Sequence, residues 1–95
     1  MSAEIPLAWS GIDNPSHLNV IVSRDNGRTF GGKATFSDTS DTSPDLAFHN
    51  GRLFIAWKGL GNNFLNVAKV NTADDKIEDK VTLSDTTHGN PALWP

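Results

Sequence analysis

Leu18-Asn19-Val20 and Leu65-Asn66-Val67 are one tripeptide written twice, 47 residues apart, and this repetition decides the fold. Working outward, Ser37-Asp38-Thr39 returns as Ser84-Asp85-Thr86 at the same spacing. Pro44 and Leu46 return as Pro91 and Leu93, and Lys33 and Thr35 as Lys80 and Thr82. Upstream the spacing is 48: Ala8-Trp9 matches Ala56-Trp57, and Gly11 matches Gly59. One residue is therefore missing from the second loop after the tryptophan. The chain divides into repeat 1, about residues 4–48, and repeat 2, about 52–95, within one unit spanning 1–95.

Each repeat reads as β. Leu53-Phe54-Ile55-Ala56-Trp57 is a short apolar run, and Leu18, Val20 and Val22 alternate on one face. Asn50-Gly51 lies between two apolar runs. A two-residue type I′ turn needs positive φ at both central positions, which this pair tolerates. No helical periodicity of useful length occurs; Ala73 to Lys80 is charged, with only Ile77 to bury.

Short strands in repeats of this length predict a β-propeller with four-stranded blades. Lettered A to D from the centre outward, one complete blade is Asp45–His49, Arg52–Trp57, Leu65–Val70 and Lys80–Leu83. The chain starts at strand B (Ile5–Trp9) and ends after strand A of another blade (Pro91–Trp94). The expected order is B-C-D-A-B-C-D-A, two blades per chain. Unpaired strand edges invite pairing with another chain. If Pro91–Pro95 of one chain completes the blade begun at Ile5 of the next, the head-to-tail contact closes a ring. A homo-oligomer is expected, with a trimer favoured and a dimer or tetramer as alternatives. A fragment excised from a longer chain is the competing reading.

Composition narrows the function. Net charge is −3 with no basic run, which argues against nucleic-acid or anionic-membrane partners. Without cysteine, neither disulfides nor thiolate metal sites arise. His17, His49 and His88 lack metal-ligand spacing, so no metal and no cofactor is expected. Met1–Pro6 does not read as a secretory leader, and no apolar run has the length of a membrane span. The compartment stays open.

Ser23-Arg24-Asp25-Asn26-Gly27-Arg28-Thr29-Phe30 fits Ser-x-Asp-x-Gly-x-Thr-Phe/Trp. This resembles the Asp-box, or bacterial neuraminidase repeat, of sialidase-like propellers. Leu7 to Gly11 and the repeated Leu-Asn-Val, Ser-Asp-Thr and Pro-x-Leu segments extend the resemblance over both repeats. It implies an architectural role for Ser23, Asp25, Gly27, Thr29 and Phe30, on the side opposite an active site. The residues agree: Asp25 can accept backbone N–H groups, Gly27 can take positive φ, and Phe30 can bury its ring beneath the hairpin. In repeat 2 these positions are Thr72, Asp74 and Ile77, so a looser hairpin is expected there.

Sialidase chemistry, as the resemblance implies it, uses a tyrosine nucleophile and an arginine triad. The chain has no tyrosine. Arg24, Arg28 and Arg52 fall at the A–B and C–D end, away from the expected binding loops. Glycoside hydrolysis needs two carboxylates at a set separation. Asp13, Asp38, Asp41 and Asp85 lie near the right end, but Asp38 and Asp85 also suit turn capping. A non-enzymatic protein is expected.

The B–C and D–A loops are rich in Asp, Asn, Ser and Thr, with Trp9 and Trp57 at the strand B ends. Short polar groups beside aromatic faces suit a sugar. The candidate ligand-binding residues are Trp9, Asp13, His17, Asp41, Trp57, Asn63, His88 and Asn90. Two alternatives stand beside this lectin-like reading. Trp9 and Trp57 are in phase with Leu7 and Ile55 and can be packing residues, and the loops can be turn chemistry alone. The protein is then a structural propeller building block, natural or engineered, with no small ligand.

Overall fold

Seven strands form in the computed structural model, which describes residues 4–13, 15–71, 74 and 76–93. They are β1 (Ile5–Ser10), β2 (His17–Ser23), β3 (Gly31–Thr39), β4 (Asp45–His49), β5 (Arg52–Lys58), β6 (Phe64–Asn71) and β7 (Lys76–Thr86). Two antiparallel sheets result, β1-β2-β3 and β4-β5-β6-β7. The described residues form no helix.

The repeat is carried into the strand register. Trp9 lies opposite Asn19 as Trp57 lies opposite Asn66. Asn19 faces Thr35 as Asn66 faces Thr82. Irregularities recur at matching places in β2–β3 and β6–β7, where Gly32 (φ 61°) and Asp79 (φ 53°) take the positive φ that a bulge demands. The turn from β4 to β5 has Asn50 at φ 51° and Gly51 at φ 76°, as a type I′ turn requires.

The sheets pack face to face around one core. Leu18, Val20, Val22, Ala34 and Phe36 of the first sheet meet Leu53, Ile55, Trp57, Ala68 and Val70 of the second. Burying one such large side chain is worth about 1.5–3 kcal/mol. β1 borders β4 and β3 borders β7, so the strands run on in the same sequence across the gap.

Three features differ from the sequence-based expectation. β7 starts at Lys76 instead of Lys80, because its charged residues face solvent on a strand that is exposed over most of its length. The ladder between β6 and β7 accordingly runs to Asn71–Lys76, further than the Val22–Gly31 pair that ends β2–β3, so this hairpin is not the looser one in its pairing. Asn71 supports it, accepting the Asp74 N–H at 3.1 Å; Thr72 lies outside the described residues. The eighth strand does not form over residues 91–93, which have no ladder partner in a single chain, and Trp94 and Pro95 lie outside the described residues. Leu93 N–H still donates to Asp45 Oδ2 at 2.6 Å, holding this segment beside the start of β4.

Candidate functional site

The β2–β3 turn is built around Asp25. Its Oδ1 accepts the Thr29 N–H at 2.8 Å and its Oδ2 accepts the Thr29 hydroxyl at 2.6 Å. Ser23 Oγ donates to Asp25 Oδ1 and accepts the Gly27 N–H, both at 2.8 Å. Asn26 (φ 62°) and Gly27 (φ 85°) make the tight reversal. The Thr29 hydroxyl and N–H, then Ser23, hold the Asp25 carboxyl down at about 2, since each donor favours the ionised form. Both carboxylate oxygens of Asp25 and the Ser23 hydroxyl are engaged inside the turn. Phe30 is 41% exposed and is not buried beneath the hairpin, because the whole stretch from Asn26 to Lys33 is exposed.

At the opposite end, the loops are tied by bonds that repeat. Ser40 N–H donates to Ser16 O at 3.1 Å, and Thr87 N–H to Asn63 O at 3.0 Å. Gly11 N–H meets His17 O, and Gly59 N–H meets Phe64 O, both at 2.8 Å. Ser16 (φ 70°) and Asn63 (φ 63°) share the left-handed conformation that re-enters the next strand. Ser10 Oγ also donates to the Ser40 carbonyl. Asn63 thus acts through its backbone carbonyl, and Asn90 Oδ1 accepts the Ser43 N–H at 3.1 Å. His88 is exposed on the same loop.

The expected binding residues divide into groups. Trp9, Asp41 and Asn90 line one open cleft of about 510 Å³ with Ser10, Gly11 and Ser16. Asp13 and His17 are taken up with each other at 2.5 Å, and the His17 ring is the main reason the Asp13 carboxyl lies below its ordinary range. Asp41 is 2.9 Å from the ammonium of Lys58, whose side chain is buried, and this bond draws the Asp41 carboxyl down. Trp57 is 2% exposed, so neither face of its indole is open as a platform.

A second cleft lies between the sheets at the same end, with a volume of about 230 Å³. Ser37, Asp38 and Thr39 of β3 form one wall; Asn62, Lys80 and the rim of Trp57 lie on the other. Lys80 Nζ bridges the gap to Asp38 Oδ1 at 2.9 Å. Behind it, the buried Asn66 spans the strand irregularity, donating to Phe64 O at 3.1 Å and accepting the Thr82 hydroxyl at 2.6 Å. Asn19 makes the same pair of bonds to His17 O and from Thr35. Lys80 and Asn62 were absent from the sequence-based candidates, and Asp38 was weighed only as a carboxylate for hydrolysis or as a turn cap. The repeated Ser-Asp-Thr and Lys-x-Thr segments were the available signal.

No protein family, curated protein or solved structure matches the chain. Among the described residues, no three or more His, Asp or Glu side chains gather as metal ligands, and no helix is long and apolar enough to cross a membrane.

Proposed function

We propose that the protein is a non-enzymatic carbohydrate-binding module of β-propeller type, two blades per chain, working as a homo-oligomer. The observation that carries the binding reading is the polar cleft between the sheets. Asp38, Lys80, Ser37, Thr39 and Asn62 converge there beside the Trp57 rim. Such a set offers charged and neutral hydrogen-bonding partners for vicinal hydroxyls, on walls fixed by two packed sheets. The missing tyrosine and the self-contained Asp25 turn leave no group arranged as a sialidase nucleophile. The resemblance to sialidase-like repeats supports the propeller, as does face-to-face packing of two sheets with one register.

A second reading is favoured by the Lys80–Asp38 bond itself. That bond ties β7 to β3 and serves a scaffold with no ligand equally well. A glycan array probed with the intact assembly separates the two. Binding that is lost in Asp38→Ala, with unchanged folding by circular dichroism, supports the sugar site. Silence towards every glycan at high valency leaves the scaffold. Turnover in a neuraminidase assay would overturn the non-enzymatic assignment.

A further inference from the structure

Each sheet has one covered and one open face, and the open faces are the missing halves of the contact already made inside the chain. The first sheet is covered on the face bearing Leu18, Ala34 and Phe36; the positions matching them in the second sheet are Leu65, Val81 and Leu83. Ala34 and Phe36 are each 8% exposed, whereas Val81 is 51% and Leu83 44% exposed. The second sheet is covered on the face bearing Leu53, Ile55 and Trp57, which match Ile5, Leu7 and Trp9. Leu53 is 4% and Ile55 0% exposed, against 44% for Ile5 and 50% for Leu7. The same apolar pattern is thus buried once and open once on each side.

Charge follows the same rule. Inside the chain, Lys80 of the second sheet pairs with Asp38 of the first. Their counterparts are Lys33 on the first sheet and Asp85 on the second, and neither forms an ion pair among the described residues. They belong to the two opposite open faces.

We propose that the open face of β4–β7 receives the open face of β1–β3 of a second copy, joined by an ion pair between Asp85 of one copy and Lys33 of the next. The contact is heterologous, so its repetition continues the stack and closes only if the rotation allows. It brings residues 91–93 of one copy to the free edge of β1 in the next, as Pro44–Leu46 lead into β4. It also rebuilds the polar cleft from two copies, with Asp85 facing Lys33 and the rim of Trp9. Trp9 then becomes a core residue like Trp57, and its exposure in the single chain reports an uncovered face. The proposal gives the contact on which the oligomeric part of the function rests, but it does not depend on sugar binding.

Light scattering over a concentration series tests it on the whole chain. The wild type is expected to show a mass of two or more chains. Lys33→Glu and Asp85→Lys are each expected to weaken self-association by about tenfold or more, like charges now facing each other. The double reversal is expected to restore it. Leu7→Asp, in an open apolar position, should give a folded single chain. A wild-type mass of one chain at high concentration overturns the proposal. So does undiminished assembly in both single reversals and in Leu7→Asp. Glycan binding is not read in this experiment, so an empty array leaves the contact standing, and a failed contact leaves binding at Asp38 to its own test.

Discussion

The Thr82 hydroxyl donates to Asn66 Oδ1 at 2.6 Å across the β6–β7 pair, and Thr35 and Asn19 make the same bond at 2.6 Å in the other repeat. A buried amide is tolerated in each apolar strand because its donor and acceptor are both used. Asn66→Ala leaves the Thr82 hydroxyl and the Phe64 carbonyl without this partner. The expected cost is about 1–3 kcal/mol by urea unfolding, with Thr82→Val costing about 1 kcal/mol. If the two losses simply add in the double variant, the bond is not the coupling between them.

The same bond marks the limit of what local sequence displays of this fold. The period of 47, the Asn50-Gly51 turn and the alternation of Leu18, Val20 and Val22 placed five strands close to their observed limits. These are local features, set by turn geometry and by one buried face. Lys76–Asp79 reads as a connection because only Ile77 of this mostly exposed segment turns to the core, which leaves no apolar alternation. Asn66 read only as a marker of the repeat, since nothing local distinguishes a buried, bridged amide from an exposed one. In the candidate site, Trp9, Asp41 and Asn90 do share a cleft. Asp38 and Lys80 were not foreseen as partners, because 42 residues separate them and only sheet packing joins them.

Asp25 gives a pH signature. Its folded value of about 2 lies below the ordinary 3.8, so the unfolded chain binds its proton first as pH falls. Its stabilising contribution is complete above about pH 4 and is lost as pH falls through about 2. The melting temperature of the wild type should exceed that of Asp25→Asn by a few degrees at neutral pH. That gap should close between pH 4 and pH 2. The lowered carboxyls of Asp13 and Asp41 occur in both proteins and cancel in the difference. A gap independent of pH would mean that the turn needs the shape of the residue and not its charge.

Lys58 and Asp41 predict an ordering. The Lys58 side chain is 8% exposed and its ammonium relies on Asp41 at 2.9 Å. Removing one partner of such a pair leaves a covered charge unanswered, whereas replacing the cation by an apolar group of like size does not. Asp41→Ala is therefore expected to lower stability more than Lys58→Met in urea unfolding. Since binding to Lys58 lowers the Asp41 carboxyl, the stabilisation from this pair is present above the ordinary carboxylate range and fades as pH falls below it. The reverse ordering would show that the ammonium reaches solvent.

The two tryptophans at matching positions should behave differently in the single chain. Trp57 is 2% exposed between the sheets, and truncating it opens a cavity in the only core the described residues share. Trp57→Ala is expected to cost about 3–5 kcal/mol, a large share of the stability of an ordinary small domain. Trp9 is half-buried on the open face of its sheet, so Trp9→Ala should cost far less in a chain held monomeric by Leu7→Asp. In the wild-type background the same Trp9→Ala change should reduce assembly, because the second copy then loses the residue that Trp57 supplies internally. Thermal unfolding and light scattering on these variants and their two parents separate these effects. Equal destabilisation by Trp9→Ala and Trp57→Ala in the monomeric background would show that Trp9 packs within its own chain, and the open face would not be waiting for a partner.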